Sequence, residues 1–245
     1  MQAAITLSLL REWPHARVLD VGGGHGQLAG PLLDAGHELT VLGSDPSCEA
    51  RIRGLTAAGR ARYVAADLLA PGLPDHSFDV VLAFRLLPHV VRWPELIATL
   101  ARLARRTVVV DYPTRRSVNA IADLLFGLKK GVEKDTRPFT VFRDVEIADA
   151  FAADGFRRTA RRPQFLFPMA LHRATGSAAL ARGLESVARA SGLTSLLGSP
   201  VIARFEPHAR VSRLGPGALP ALRPEAAQAR RDRRHARPDG RPRLP

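Results

Sequence analysis

The chain has 245 residues, 46% of them hydrophobic and 24% charged, which suits one α/β domain with a sizeable core and is short for two. Its formal net charge is +13, and residues 209–245 alone carry +7, with ten arginines against three acids. A single cysteine, Cys48, excludes an intrachain disulfide, and no apolar run is long enough to cross a bilayer.

Residues 3–10 are apolar but short, have no basic stretch before them and meet Arg11 and Glu12 at once. No signal peptide is expected there, and a cytoplasmic protein is expected. From there apolar runs alternate with helical patterns, the rhythm of a parallel sheet built from βαβ units. Residues 17–21 read as a buried strand, followed by a helix to Ala35 stopped by Gly36. Pro31 inside that helix is awkward unless it falls in the first turn. A second strand at 39–43 leads into a helix to Ala58. Residues 62–65 and 78–84 are the third and fourth strands. Pro94 suits the first turn of a helix whose Leu96, Ile97, Leu100 and Leu103 share one face. The fifth strand, 107–111, holds three successive valines suited to burial on both sides.

After this the rhythm changes. Residues 112–143 form a long, mostly polar and basic connection with a helix expected at 118–128. A clearer helix runs from an N-cap at Asp144 through Ile147 and Phe151 to Gly155. The last two strands are expected at 164–171 and 201–205, with a helix near 177–190 between them. We therefore divide the chain into a domain at 1–207 and a disordered basic tail, rich in Pro, Arg and Ala, at 208–245. Such a tail can bind nucleic acid. However, 33 of the 36 basic residues are arginine, amid abundant Ala, Gly and Pro. That bias is what a GC-rich coding sequence yields without selection for a basic patch.

The strongest local signal is Val18-Leu19-Asp20-Val21-Gly22-Gly23-Gly24-His25-Gly26. A strand feeds a glycine run that opens a helix, as needed where backbone turns tightly against a ligand. Asp45 ends the second strand, where an acid can accept both hydroxyls of an adenosine ribose. Asp67 ends the third, where an acid can accept from the adenine amine. Singly, each acid also reads as a cap for the following helix. Residues 24–29 even fit the dinucleotide fingerprint GxGxxA, so a nicotinamide enzyme is a rival. Jointly, three acids at consecutive strand ends point to one crevice.

Here the sequence resembles the class I S-adenosylmethionine-dependent methyltransferases. Val18 to Gly26 looks like their first motif, Val41 to Ser47 like the motif ending in the ribose-binding acid, and Asp67-Leu68 like the adenine-contacting pair. Ser77 to Leu82 and Val108 to Asp111 resemble the motifs of strands four and five. The resemblance implies a Rossmann-like, doubly wound α/β fold with a seven-stranded sheet, mostly parallel with one antiparallel strand. It also implies S-adenosylmethionine as cofactor, held by Asp20, Gly22, Gly23, Gly24, Gly26, Asp45, Pro46, Asp67, Leu68 and Phe84. A carboxylate at Asp20 would repel a dinucleotide pyrophosphate and welcome a methionine ammonium. Relatives usually carry a longer segment before the first strand, so either residues 112–143 supply the lid or the true start lies upstream.

The expected function is methyl transfer to oxygen, nitrogen or carbon of a small-molecule acceptor. His89, after strand four, is the candidate base, since imidazole titrates near neutral pH; Arg85, Asp111 and Tyr112 are nearby candidates for substrate contact. Strand four ends Ala83-Phe84-Arg85-Leu86, which disfavours amino methylation of nucleic-acid bases, and no cluster has metal-ligand spacing. The rivals are an RNA methyltransferase using the basic tail and a cofactor-binding scaffold without catalysis.

Overall fold

Alternation along the strands determines the layering. In β1 (Arg17–Val21) and β4 (Phe78–Ala83), Val18, Val80 and Leu82 belong to one apolar cluster, and Leu19, Val21, Val81 and Ala83 to another. Successive strand side chains point to opposite faces, so a strand apolar throughout needs helices on both. The three valines of β5 (Ala104–Tyr112) divide in the same way, Val109 to one face and Val108 and Val110 to the other. This is the doubly wound architecture expected from the resemblance.

A computed structural model of the protein describes residues 2–23, 26–115, 139–165, 191, 194 and 198–208. By its internal contacts the chain separates into Met1–Arg210 and Val211–Pro245, and the second unit lies outside the described residues. So do the helices expected at 118–128 and 177–190.

The sheet has seven strands in the order β3-β2-β1-β4-β5-β7-β6, completed by β2 (Glu38–Gly43), β3 (Ala61–Ala65), β6 (Phe156–Phe165) and β7 (Ser199–Pro207). β3, β2, β1, β4 and β5 run parallel. β7 is antiparallel to both β5 and β6, making it the one reversed strand. One face is covered by α1 (Gln2–Leu10) and α2 (Ala29–Asp34), through Leu9, Leu10, Ala29 and Leu32. The other is covered by α4 (Trp93–Leu103) and α5 (Asp144–Ala153), through Leu96, Ile97, Leu100, Ile147 and Phe151. A short α3 (Arg53–Ala57) follows a 3-10 turn, Pro46–Arg51.

Several local expectations change. The apolar segment 3–10 is a helix, with Thr6, Leu9 and Leu10 buried. α2 begins only at Ala29, which places Pro31 in its first turn, where the missing N–H costs nothing. The strand paired along β7 is β6, which starts eight residues before the strand expected at 164–171; residues 166–171 lie outside the described residues. Its Arg157, Arg158, Arg161 and Arg162 hid it, because only an edge strand tolerates such charge. Asp144 is not the N-cap of α5. Arg143 takes that position, and its backbone N–H donates to Glu146 Oε2 at 2.8 Å. Asp144 opens the first turn and pairs with Arg161 Nε at 2.7 Å.

Candidate functional site

The site grows from the carboxyl end of β1. Gly22 leaves the strand with φ +72°, a left-handed conformation that side chains rarely adopt, while its N–H still donates to Leu42 O at 2.8 Å. Gly23 lies against Asp20: a Cβ there would sit 2.0 Å from Oδ2. Only glycine lets the backbone fold over that carboxylate. Gly26 closes the turn by donating to Gly23 O at 2.8 Å. Gly24 and His25 lie outside the described residues.

Asp20 is 3% exposed, and burial pushes its carboxyl up to about 7, with no cation or hydrogen-bond donor among the described residues offsetting it. It opens onto a cleft lined by Gln2, Gly22, Gly23, Gln27, Phe84 and Arg85, among others. Of the residues expected from sequence, the cleft thus brings together Asp20, Gly22, Gly23 and Phe84. Arg85, expected as a candidate for substrate contact, also lines it, and the cleft adds Gln2 and Gln27. Nothing local to α1 could have signalled Gln2, which reaches the cleft through tertiary packing alone.

Asp45 and Asp67 stand at the ends of the neighbouring parallel strands, and neither belongs to the cleft lining. Both are exposed. Asp45 caps the 3-10 turn, Oδ1 accepting from Ser47 N at 2.7 Å, and hydrogen bonding to Ser47 holds its carboxyl below the ordinary value. Its carbonyl accepts from Tyr63 Oη at 2.6 Å. Asp67 Oδ1 accepts from Leu69 N at 2.9 Å. Each acid therefore does cap local backbone, yet a carboxylate has about four acceptor sites and one such bond leaves most of them. Pro46 is exposed beside Asp45, and Leu68 is half-buried against the core.

Beyond β4, Arg85 has φ +53° and donates its backbone N–H to Asp111 Oδ1 at 2.5 Å. Gln2 Nε2 lies 3.5 Å from Asp111 Oδ2. Burial pushes the Asp111 carboxyl up to about 6, against the pull of Arg85. Asp111 thus supports the loop after β4. Tyr112 is fully buried beneath, its phenol pushed upward first by burial and then by Asp144. His89 is exposed at the end of a 3-10 turn (Leu87–His89), its ring 5.6 Å from that of Phe139. Cys48 is half-buried, away from the cleft lining. Among the described residues no group of three or more His, Cys, Asp or Glu side chains could hold a metal ion.

Residues 19–110, which include Asp20, the glycine turn and Arg85, match the family model described as "Methyltransferase domain". No curated protein matches the chain. Among solved structures, the chain is similar to magnesium protoporphyrin IX methyltransferase from Synechocystis PCC 6803 with bound S-adenosylhomocysteine: 14% identity, 84% of this chain and 82% of that one, TM-score 0.59. It is similar to the YcgJ protein of Bacillus subtilis at 13% identity, over 84% and 98% of the two chains, with TM-score 0.57. It is also similar to the (4+2)-cyclase SpnF, at 17% identity, over 84% and 79%, with TM-score 0.58. At such identities the structural likeness establishes the fold.

Proposed function

Because the chain carries a methyltransferase domain of the kind that uses S-adenosylmethionine, we propose that it methylates a small-molecule acceptor at the cleft above Asp20. One observation carries this reading: a buried carboxylate with no partner among the described residues, roofed by glycine backbone and facing a cleft. Burying such a group is costly unless a cation meets it. The ammonium of an amino acid would do so; a pyrophosphate would be repelled.

In this reading Asp20 and the glycine turn at Gly22–Gly26 hold the methionine end of the cofactor. Asp45, with Pro46, takes the ribose hydroxyls, and Asp67, Leu68 and Phe84 bound the adenine and the cleft wall. The fit is supported by three carboxylates at the carboxyl ends of adjacent parallel strands, Asp20 within β1 and Asp45 and Asp67 two residues beyond β2 and β3. When bound, the cofactor supplies a methyl group already activated on a sulfonium. The chain's own work is to place a nucleophile and exclude water. His89 is the proposed base for an acceptor that must lose a proton.

The test is calorimetric titration with S-adenosylhomocysteine, with NADH as the control. Binding of the former alone is expected; preference for NADH would overturn the reading. Acceptor class is tested by incubating the protein with labelled cofactor and either a metabolite extract or total RNA. Label in the low-molecular-weight fraction is expected. The nucleic-acid reading has its support in the arginine-rich residues 209–245 and the exposed Arg157 and Arg162 of β6. It requires RNA binding that falls steeply with salt.

A further inference from the structure

Arg85 is an exposed cation on the wall of a cleft whose base is the Asp20 carboxylate. Its charge acts on Asp111, and among the described residues its guanidinium forms no salt bridge. β1 and β4 are adjacent and parallel, with Asp20 in register with Leu82, so Arg85 lies three residues beyond Asp20's neighbour. A negative and a positive group thus face one cleft from neighbouring strand ends. An α-amino acid carries its ammonium and carboxylate on a single carbon, and needs both partners at close quarters.

The backbone shows why the guanidinium is there. Arg85 sits at φ +53°, which side chains avoid because Cβ crowds the carbonyl. That conformation persists where surroundings over-determine it. Here Asp111 does so, accepting the Arg85 N–H at 2.5 Å while Gln2 approaches its other oxygen at 3.5 Å. Asp111 is itself buried, and its two oxygens accept from the Arg85 N–H and from Gln2 Nε2.

We propose that Arg85 binds the α-carboxylate of the cofactor's methionine moiety, and that Asp111 is the positioning residue that turns Arg85 toward the cleft. This rests on the cofactor reading above and extends it from the ammonium to the whole zwitterion. A guanidinium suits the role, since its planar fork matches a carboxylate with two parallel bonds.

The test compares S-adenosylhomocysteine with its decarboxylated analogue, which keeps the ammonium and lacks the carboxylate, by calorimetry. Arg85→Gln is expected to weaken S-adenosylhomocysteine about tenfold or more, the loss of a charge-assisted pair. The same variant should bind the decarboxylated analogue no more weakly than the natural protein does, because a repelling cation has gone. Asp111→Ala should copy this selective loss, whereas Asp111→Asn, which can still accept from the Arg85 N–H, should restore affinity. Retained binding of the analogue also shows that each variant is folded. Unchanged affinity of Arg85→Gln for S-adenosylhomocysteine, or equal weakening of both ligands, would overturn the assignment. Failure of the natural protein to bind S-adenosylhomocysteine would instead sink the cofactor reading itself.

Discussion

Asp20 combines burial, a raised pKa and a glycine roof, and each has a measurable consequence. To hold an ammonium it must be ionised, and burial has pushed its carboxyl up to about 7. Affinity for S-adenosylhomocysteine should therefore fall as pH drops below that value, by about tenfold per unit, and level off above it. Calorimetry between pH 5.5 and 8.5 reads this (roughly the window in which a group of this pKa titrates). Asp20→Asn should bind weakly at every pH. A second expectation concerns Gly23→Ala, whose Cβ would lie 2.0 Å from Asp20 Oδ2. The carboxylate must swing away, so affinity should drop at least as far as in Asp20→Asn. Asp45 offers a contrasting case. It is exposed and already capping Ser47, so Asp45→Ala should cost little in folding yet reduce cofactor affinity about tenfold, as for a lost charge-assisted bond. Undiminished affinity would show that this acid only caps.

Helix α5 shows how the elements hold the second half of the sheet. Its Phe151 stacks on Phe205 of β7, with centroids 3.9 Å apart and planes within 15°. Phe156 of β6 packs on the Phe151 ring at 6.4 Å. Asp144 at the start of α5 pairs with Arg161 of β6, tying helix to edge strand. Phe205→Ala removes a fully buried ring from the junction of three elements, and should destabilise the protein by about 3–5 kcal/mol in urea unfolding. A cost below about 1 kcal/mol would mean that this junction contributes little to the fold. At the other edge, Gly43 ends β2 where a Cβ would meet Tyr63 Oη at 1.9 Å. That close approach lets the Tyr63 hydroxyl reach the Asp45 carbonyl and hold the end of β2 in place.

For the molecule as a whole, the buried acids set the pH dependence of stability. Asp20 and Asp111 keep protons up to about 7 and about 6, whereas the unfolded chain loses them near 3.8. Between those values the native state binds more protons, so stability measured without added cofactor should fall as pH rises from about 4 to about 7. Asp20→Asn should then be stabilising, by up to about 4 kcal/mol at pH 8 and less at pH 5, even as it loses the ligand. A chain ending at His208 keeps every sheet pairing, since β7 stops at Pro207, and should melt and bind S-adenosylhomocysteine unchanged. The strands β1, β2, β4 and β5, the glycine turn and the three strand-end acids are all readable from local sequence. Their apolar runs can be buried only between two helical layers, and their glycines permit one kind of turn. By contrast, β6 carries four arginines and becomes a strand only because β7 pairs with it along the edge. The cleft wall has the same origin. Gln2 meets Asp111 across 109 residues, and Arg85 takes its left-handed turn because a buried carboxylate from another strand receives its N–H. Local chemistry is legible wherever a residue's role depends on its immediate neighbours; contacts between distant strands exist only once the sheet has closed.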